Sequence, residues 1–180
     1  ALGQMADLIR SLNPEVVVEI NYGGLAGYNS PWIRGTDPAR LLPRTQVFWD
    51  ESDQKPGFSS DGRLISGIRT YKMARTYRNV VLSYISVSET AMAECLAFNQ
   101  TIGFAGVSPL SADMVKYISF YRKHRDFYMG AEDVAPVAVL HSYPSITYNN
   151  ASAGLSGILF EQALIQARIP FRLIFDEHLS

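Results

Sequence analysis

Thr45-Gln46-Val47-Phe48-Trp49-Asp50-Glu51-Ser52 is the stretch that decides how this chain folds. A β-branched and aromatic run that stops abruptly in two acids reads as a short strand ending on a polar edge. Working outward, Val16-Val17-Val18-Glu19-Ile20-Asn21 is a second such run, bounded by Pro14 and Gly23-Gly24. Its near-continuous apolar character is what a buried parallel strand requires. On the other side, Asn79 to Ile85 is a third strand. Leu64, Ile65, Ile68, Tyr71, Lys72 and Ala74 recur at helical spacing between strands two and three, predicting a helix over 64–77. Strands separated by helices form parallel sheets, so the chain is α/β. The order of residues 1–107 suits either part of a barrel or a doubly wound sheet.

The flanks extend this alternation. Leu2, Met5, Leu8, Ile9 and Leu12 share a helical face, and Asn13-Pro14 ends that helix because proline disfavours the helical state of the preceding residue. Residues 23–43 and 53–62 read as loops. Ser88 to Phe98 is helical, and Ser111 caps a long helix expected to run to Tyr128. The pattern then restarts, with a strand at Val137–Leu140, a polar loop from His141 to Gly154, a helix at Leu155–Ala167 and a strand at Phe171–Phe175. This second set is one βαβ unit. The domain boundary falls in or just after the 111–129 helix.

Composition narrows the function. The net charge of −1 gives no long-range positive field, which argues against a nucleic-acid partner. No apolar run approaches a membrane span, and no charged n-region with an apolar h-region opens the chain, so it reads as a soluble domain without a signal peptide. Both ends look like cuts through a longer polypeptide. Its single cysteine, Cys95, sits beside Met92 and Leu96 and reads as a core thiol, and no Cys/His cluster has metal-ligand spacing. Neither a metal nor a cofactor is therefore expected.

Parallel α/β folds place ligands at the C-terminal ends of their strands. That rule selects Glu19, Asn21 and Tyr22 after the first strand, Trp49, Asp50 and Glu51 after the second, and Tyr84, Ser86 and Ser88 after the third. Carboxylates among Trp, Tyr and Asn suit a sugar, whose C–H faces stack on rings while its hydroxyls take polar partners; paired carboxylates then serve glycosidic cleavage. Glu19 lies in an apolar strand and so needs either a partner such as Arg69 or a polar cavity. Adjacent strand residues face opposite ways, so only one of Asp50 and Glu51 can face the cavity. His141 ends a strand, a position that meets ligands, but no sequence partner is evident.

Two segments carry a family resemblance. Leu42 to Ser52, followed by Asp61-Gly62-Arg63-Leu64-Ile65-Ser66-Gly67-Ile68-Arg69-Thr70-Tyr71-Lys72, resembles the late barrel strands of bacterial glycoside hydrolases related to the family 42 β-galactosidases. Val137-Ala138-Val139-Leu140-His141-Ser142-Tyr143-Pro144, through Gln166-Ala167-Arg168-Ile169-Pro170-Phe171, is similar to their next domain. That domain is flavodoxin-like, akin to class I glutamine amidotransferases, and is called the trimerisation domain. The resemblance implies the C-terminal portion of a (β/α)8 barrel over 1–110, a linking helix over 111–133, and the first βαβ of a flavodoxin-like domain over 134–180. It also implies a carbohydrate substrate, a retaining mechanism and a homo-oligomer, a trimer by the domain's name.

In this family the nucleophile ends the seventh strand, which makes Glu51 the implied catalytic residue, with Glu19 ending the sixth strand and binding sugar. Asn21, Tyr22, Trp32, Trp49 and Tyr84 would complete the sugar pocket. The family's acid/base glutamate lies on the fourth strand, upstream of the sequence in hand, so the isolated 180 residues are expected to be inactive. No cysteine follows Cys95, which disfavours an amidotransferase. The competing expectation is a non-catalytic carbohydrate-binding or oligomerisation module. A serine hydrolase is disfavoured because no Gly-x-Ser-x-Gly elbow is present.

Overall fold

The computed structural model describes residues 1–21, 37–50, 56–62, 64–83, 89–100 and 111–179. Its chain is mixed α/β. Strands β1 (Glu19–Asn21), β2 (Val47–Asp50) and β5 (Val80–Ser83) form a parallel sheet in the order β1-β2-β5. Asn21 pairs with Trp49 and Trp49 with Leu82, so the three strands end together on one edge. A second parallel pair joins β6 (Val137–Leu140) to β7 (Phe171–Ile174). The α/β class expected from the sequence is therefore present; a closed barrel is not formed among the described residues.

Side-chain alternation gives the first sheet two different faces. Phe48, Asp50 and Val81 are buried on one of them, against helices. Val47, Trp49, Val80 and Leu82 lie on the other, which is half-buried to exposed. The first strand is shorter and less buried than expected. Val16 and Val17 are exposed, and pairing starts only where Gln46 clasps Val18, its main-chain N–H donating to the Val18 carbonyl while its side-chain oxygen accepts from the Val18 N–H. Among the described residues β1 is an edge strand with a neighbour on one side, and of the three valines before it only Val18 is buried.

Helix α1 (Leu2–Leu12) forms as expected and stops at Asn13, whose extended backbone precedes Pro14. Only its Ala6 is buried. Asp37 caps the short α2 (Pro38–Leu41), its carboxylate accepting from the Ala39 N–H at 3.0 Å. The expected helix over 64–77 begins later. Leu64–Ile65 instead forms β4, antiparallel to β3 (Gly57–Phe58), across a turn in which Gly62 takes φ +80°. A hairpin replaces the expected loop, because a positive-φ glycine makes the reversal cheap.

Helix α3 (Ile68–Thr76) lies between the two sheets. Its Tyr71, Met73 and Ala74 belong to one buried cluster with Phe48 and Val81 from the first sheet and Phe171 and Leu173 from the second. Burying each such large apolar side chain contributes roughly 1.5–3 kcal/mol, so this cluster is the main source of cohesion. Beyond it, Lys72 Nζ donates to the Phe171 carbonyl at 2.5 Å and Thr76 Oγ1 to that of Leu173 at 2.7 Å. The core is thus continuous across the expected domain boundary.

Helix α4 (Glu89–Ala97) buries Met92, Cys95 and Leu96. Ser111 caps α5 (Ala112–Lys123) by accepting from the Met114 N–H, as the sequence suggested. The long helix then breaks at His124, and a separate turn, α6 (Arg125–Tyr128), follows. The expected loop over 141–154 also holds structure: α7 (Tyr143–Tyr148), capped by Ser142 with Pro144 in its first turn, and a π-helical turn, Asn150–Gly154, leading into α8 (Leu155–Gln166). Proline at a helix start leaves no backbone donor wasted, which is how a polar, proline-bearing segment becomes helical. No helix among the described residues is long and apolar enough to cross a membrane.

Candidate functional site

The edge where β1, β2 and β5 end brings Asn21, Trp49 and Asp50 together, as the strand-end rule required. Asn21 is exposed and Trp49 half-buried on the open face, whereas Asp50 is 4% exposed and turned to the helix side. Asp50 thus faces away from the open face that carries Trp49. Glu51, Tyr22, Trp32 and Tyr84 lie outside the described residues, as do Ser86 and Ser88.

Glu19 departs from its expected setting. It opens β1 rather than closing it, pairs in register with Val47 at the start of β2, and is exposed. Nor does Arg69 partner it. The Arg69 guanidinium holds Glu161 of α8 in a bidentate pair, Nε to Oε2 at 2.8 Å and Nη2 to Oε1 at 2.6 Å. Exposure, not pairing, is what makes a carboxylate tolerable at Glu19.

Behind the edge stands a layer that the local sequence pattern did not mark. The Gly67 N–H, opening α3, donates to Glu94 Oε2 at 3.1 Å. Burial pushes the Glu94 carboxyl above the ordinary glutamate range, and the Gly67 hydrogen bond opposes that shift. Tyr71 Oη and Cys95 Sγ are 3.1 Å apart and share a hydrogen bond. Burial raises both groups, with the Glu94 charge adding to each and the Asp50 charge adding at Tyr71. At neutral pH the phenol and thiol are therefore protonated and not nucleophilic. Gly67 is required by space: a Cβ there would sit 2.9 Å from the Tyr71 ring. Glycine before a helix and a tyrosine four residues on is the only local trace of this contact, and it is common. Among the described residues no group of His, Cys, Asp and Glu is placed to hold a metal ion.

His141, the other strand-end candidate, sits at the end of β6. Its main-chain N–H donates to the Ile174 carbonyl at 2.7 Å and its ring meets Phe175 edge-on at 5.6 Å. Burial, and then the Arg69 charge, push the imidazole down from 6.5 to about 4, with Asp176 acting in the opposite sense. The folded chain thus favours the neutral ring, so this contribution to stability is complete above pH 6.5 and is lost as the pH falls towards 4. Between pH 7 and 4.5 the loss should be about 2 kcal/mol, visible as a lower urea midpoint. His141→Gln should flatten that pH dependence; an unchanged slope in the variant would remove His141 as its source.

Comparison with protein-family models, with curated proteins and with solved structures finds no match to this chain. The functional reading accordingly rests on the strand-end chemistry.

Proposed function

We propose that this chain supplies the nucleophile-bearing edge of a retaining glycoside hydrolase acting on β-galactosides or related sugars, with Glu51 as the nucleophile. One observation carries the reading: three parallel strands end in register with Asn21, Trp49 and Asp50 on a single edge. Trp49, two residues before Glu51 in sequence, belongs to the open face, while Asp50 is buried on the other. The barrel reading treats that open face, with Val47, Trp49, Val80 and Leu82, as part of a barrel interior.

In this account Glu51 attacks the anomeric carbon, forming a glycosyl ester as the aglycone leaves. A second carboxylic acid protonates the leaving oxygen and then, as carboxylate, activates the water that cleaves the ester. Retaining enzymes hold the two carboxyl groups only ~5–5.5 Å apart. Trp49 offers a stacking face, and Asn21 a hydroxyl partner. The test is turnover of an aryl β-galactoside by a polypeptide joining this chain to the first half of such a barrel, with and without Glu51→Gln; undiminished rates in the variant exclude the assignment.

A second reading, an assembly module, is favoured by α8. This helix is apolar on nearly every side, yet Leu155, Leu159 and Phe160 are 50–67% exposed. Helices of that composition are normally covered, which suits the proposed homo-oligomer. A monomer in light scattering at high concentration would count against it.

A further inference from the structure

We propose that a cleft remote from the strand-end site binds a small polyanion, in chemical class a phosphorylated small molecule. The cleft has a volume of about 1160 Å³ and opens where α3 and α4 end, between α5, the 129–133 segment and β7. This is the N-terminal end of β5, since Asn79 and Val80 line it, whereas the sugar reading uses the opposite edge.

Four arginines line the cleft: Arg75, Arg78, Arg122 and Arg172. Arg75 is engaged, its guanidinium 3.5 Å from Asp133 and donating to the Ala131 carbonyl at 2.7 Å. The guanidinium groups of the other three, all solvent-exposed, have neither an ion pair nor an acceptor among the described residues. Setting Glu132 of the same wall against one of them leaves two uncompensated guanidinium charges. In a chain of net charge −1, that is a local excess. Guanidinium groups bind phosphate oxygens in bidentate fashion, which a point charge does not.

The obvious structural reason for arginines at helix ends is to neutralise free carbonyls, and here the backbone already does so. After α3, the Asn79 N–H donates to the Ala74 carbonyl at 2.9 Å and the Arg78 N–H to that of Arg75 at 3.0 Å. After α4, Gln100 and Asn99 do the same for Cys95 and Leu96, at 2.8 and 3.0 Å. These are closed helix C-terminal turns in which the residue after the cap adopts the left-handed region. Arg78 occupies that position with φ +57°, where glycine would be unstrained. Backbone closure of these turns leaves the Arg78 side chain free of any capping duty at the cleft wall.

The rim is also fixed. Asn99 Nδ2 donates to the Tyr128 carbonyl at 2.8 Å, and the rings of Tyr121 and Tyr128, both in the wall, meet at a tilt of 50° with centroids 5.3 Å apart. The aromatic pair gives an organic ligand a surface beside the charges.

The experiment is isothermal titration of the chain with pyrophosphate at ~0.15 M salt, where unspecific attraction between exposed charges is largely screened. One saturable site is expected, weakened about tenfold by Arg122→Gln or Arg172→Gln, the loss of one charge-assisted contact. Arg78→Gly should weaken binding likewise while raising the melting temperature by ~2–4 °C, because it relieves the left-handed residue. Arg168, the same kind of helix-end residue with φ +56° but outside the cleft wall, is the control: Arg168→Gly should raise the melting temperature and leave pyrophosphate binding unchanged. Absence of saturation at millimolar pyrophosphate, or equal affinity in the three cleft variants and the parent chain, would overturn the proposal.

Discussion

Glu161→Ala is expected to lower the stability of the chain by ~3–5 kcal/mol, the cost of leaving one member of a buried pair without its partner. The side chains of Arg69 and Glu161 are 12% and 8% exposed and 2.6 Å apart. The guanidinium would remain buried against α8 with no carboxylate, and water reaches it poorly. The intact pair need not be strongly stabilising, since desolvating two charges offsets most of their attraction. Hence a second expected result: replacing both residues together, Arg69→Met with Glu161→Leu, should recover most of the loss. Denaturant unfolding of the three variants separates the cases. A Glu161→Ala effect below ~1 kcal/mol would mean that the pair behaves as a solvated surface contact, and that α3 and α8 are not locked together by it.

The other large effect is chemical. In a polypeptide that joins this chain to the rest of a barrel, Glu51→Gln should reduce turnover of an aryl β-galactoside by a factor of ~10⁴ or more, the scale on which loss of a covalent nucleophile acts. Glutamine keeps the shape and the hydrogen-bonding reach but cannot form the glycosyl ester, so KM should change little while kcat collapses. A fall in kcat/KM through KM alone would instead make residue 51 a binding group. A variant that keeps its KM is folded, so a collapse of kcat alone cannot be ascribed to general unfolding.

Much of the architecture was legible in local pattern. Val137–Leu140 was read with its observed bounds, and Val47–Asp50 and Val80–Ser83 fall inside runs that β-branched residues announced. Ser111 was recognisable as a cap because the hydroxyl acts within three residues of its own position. What escaped was either chemically quiet or distant in sequence. Leu64 and Ile65 fit helical spacing as well as they fit a strand, and the turn at Gly62 tipped them into a hairpin. Arg69 finds Glu161 across 92 residues and Glu94 finds Gly67 across 27, separations over which no periodicity operates. Glu19 was judged by its apolar neighbours, but Val16, Val17 and Glu19 itself are exposed although Val18 is buried, so the premise of a buried charge failed.

The part of the candidate site seen in the sequence was its strand-end positions; the layer beneath, Tyr71 with Cys95 and Gly67 with Glu94, is a product of packing. Tyr71 and Cys95 each looked like an ordinary core residue, and each is buried. Both belong to the buried cluster that joins helix α3 to Phe48 and Val81 of the first sheet and to Phe171 and Leu173 of the second.

The central proposal is that the acid following Trp49 and Asp50 forms a bond to sugar. In a 2-deoxy-2-fluoro-β-galactosyl fluoride the C2 fluorine destabilises both oxocarbenium-like transition states, while loss of fluoride lets the glycosyl ester on the barrel-completed polypeptide form faster than water cleaves it. Proteolysis and mass mapping should then find one fluorosugar on the peptide containing Glu51. A label on a different carboxylate, or hydrolysis of galactosides with no covalent adduct at all, would contradict it.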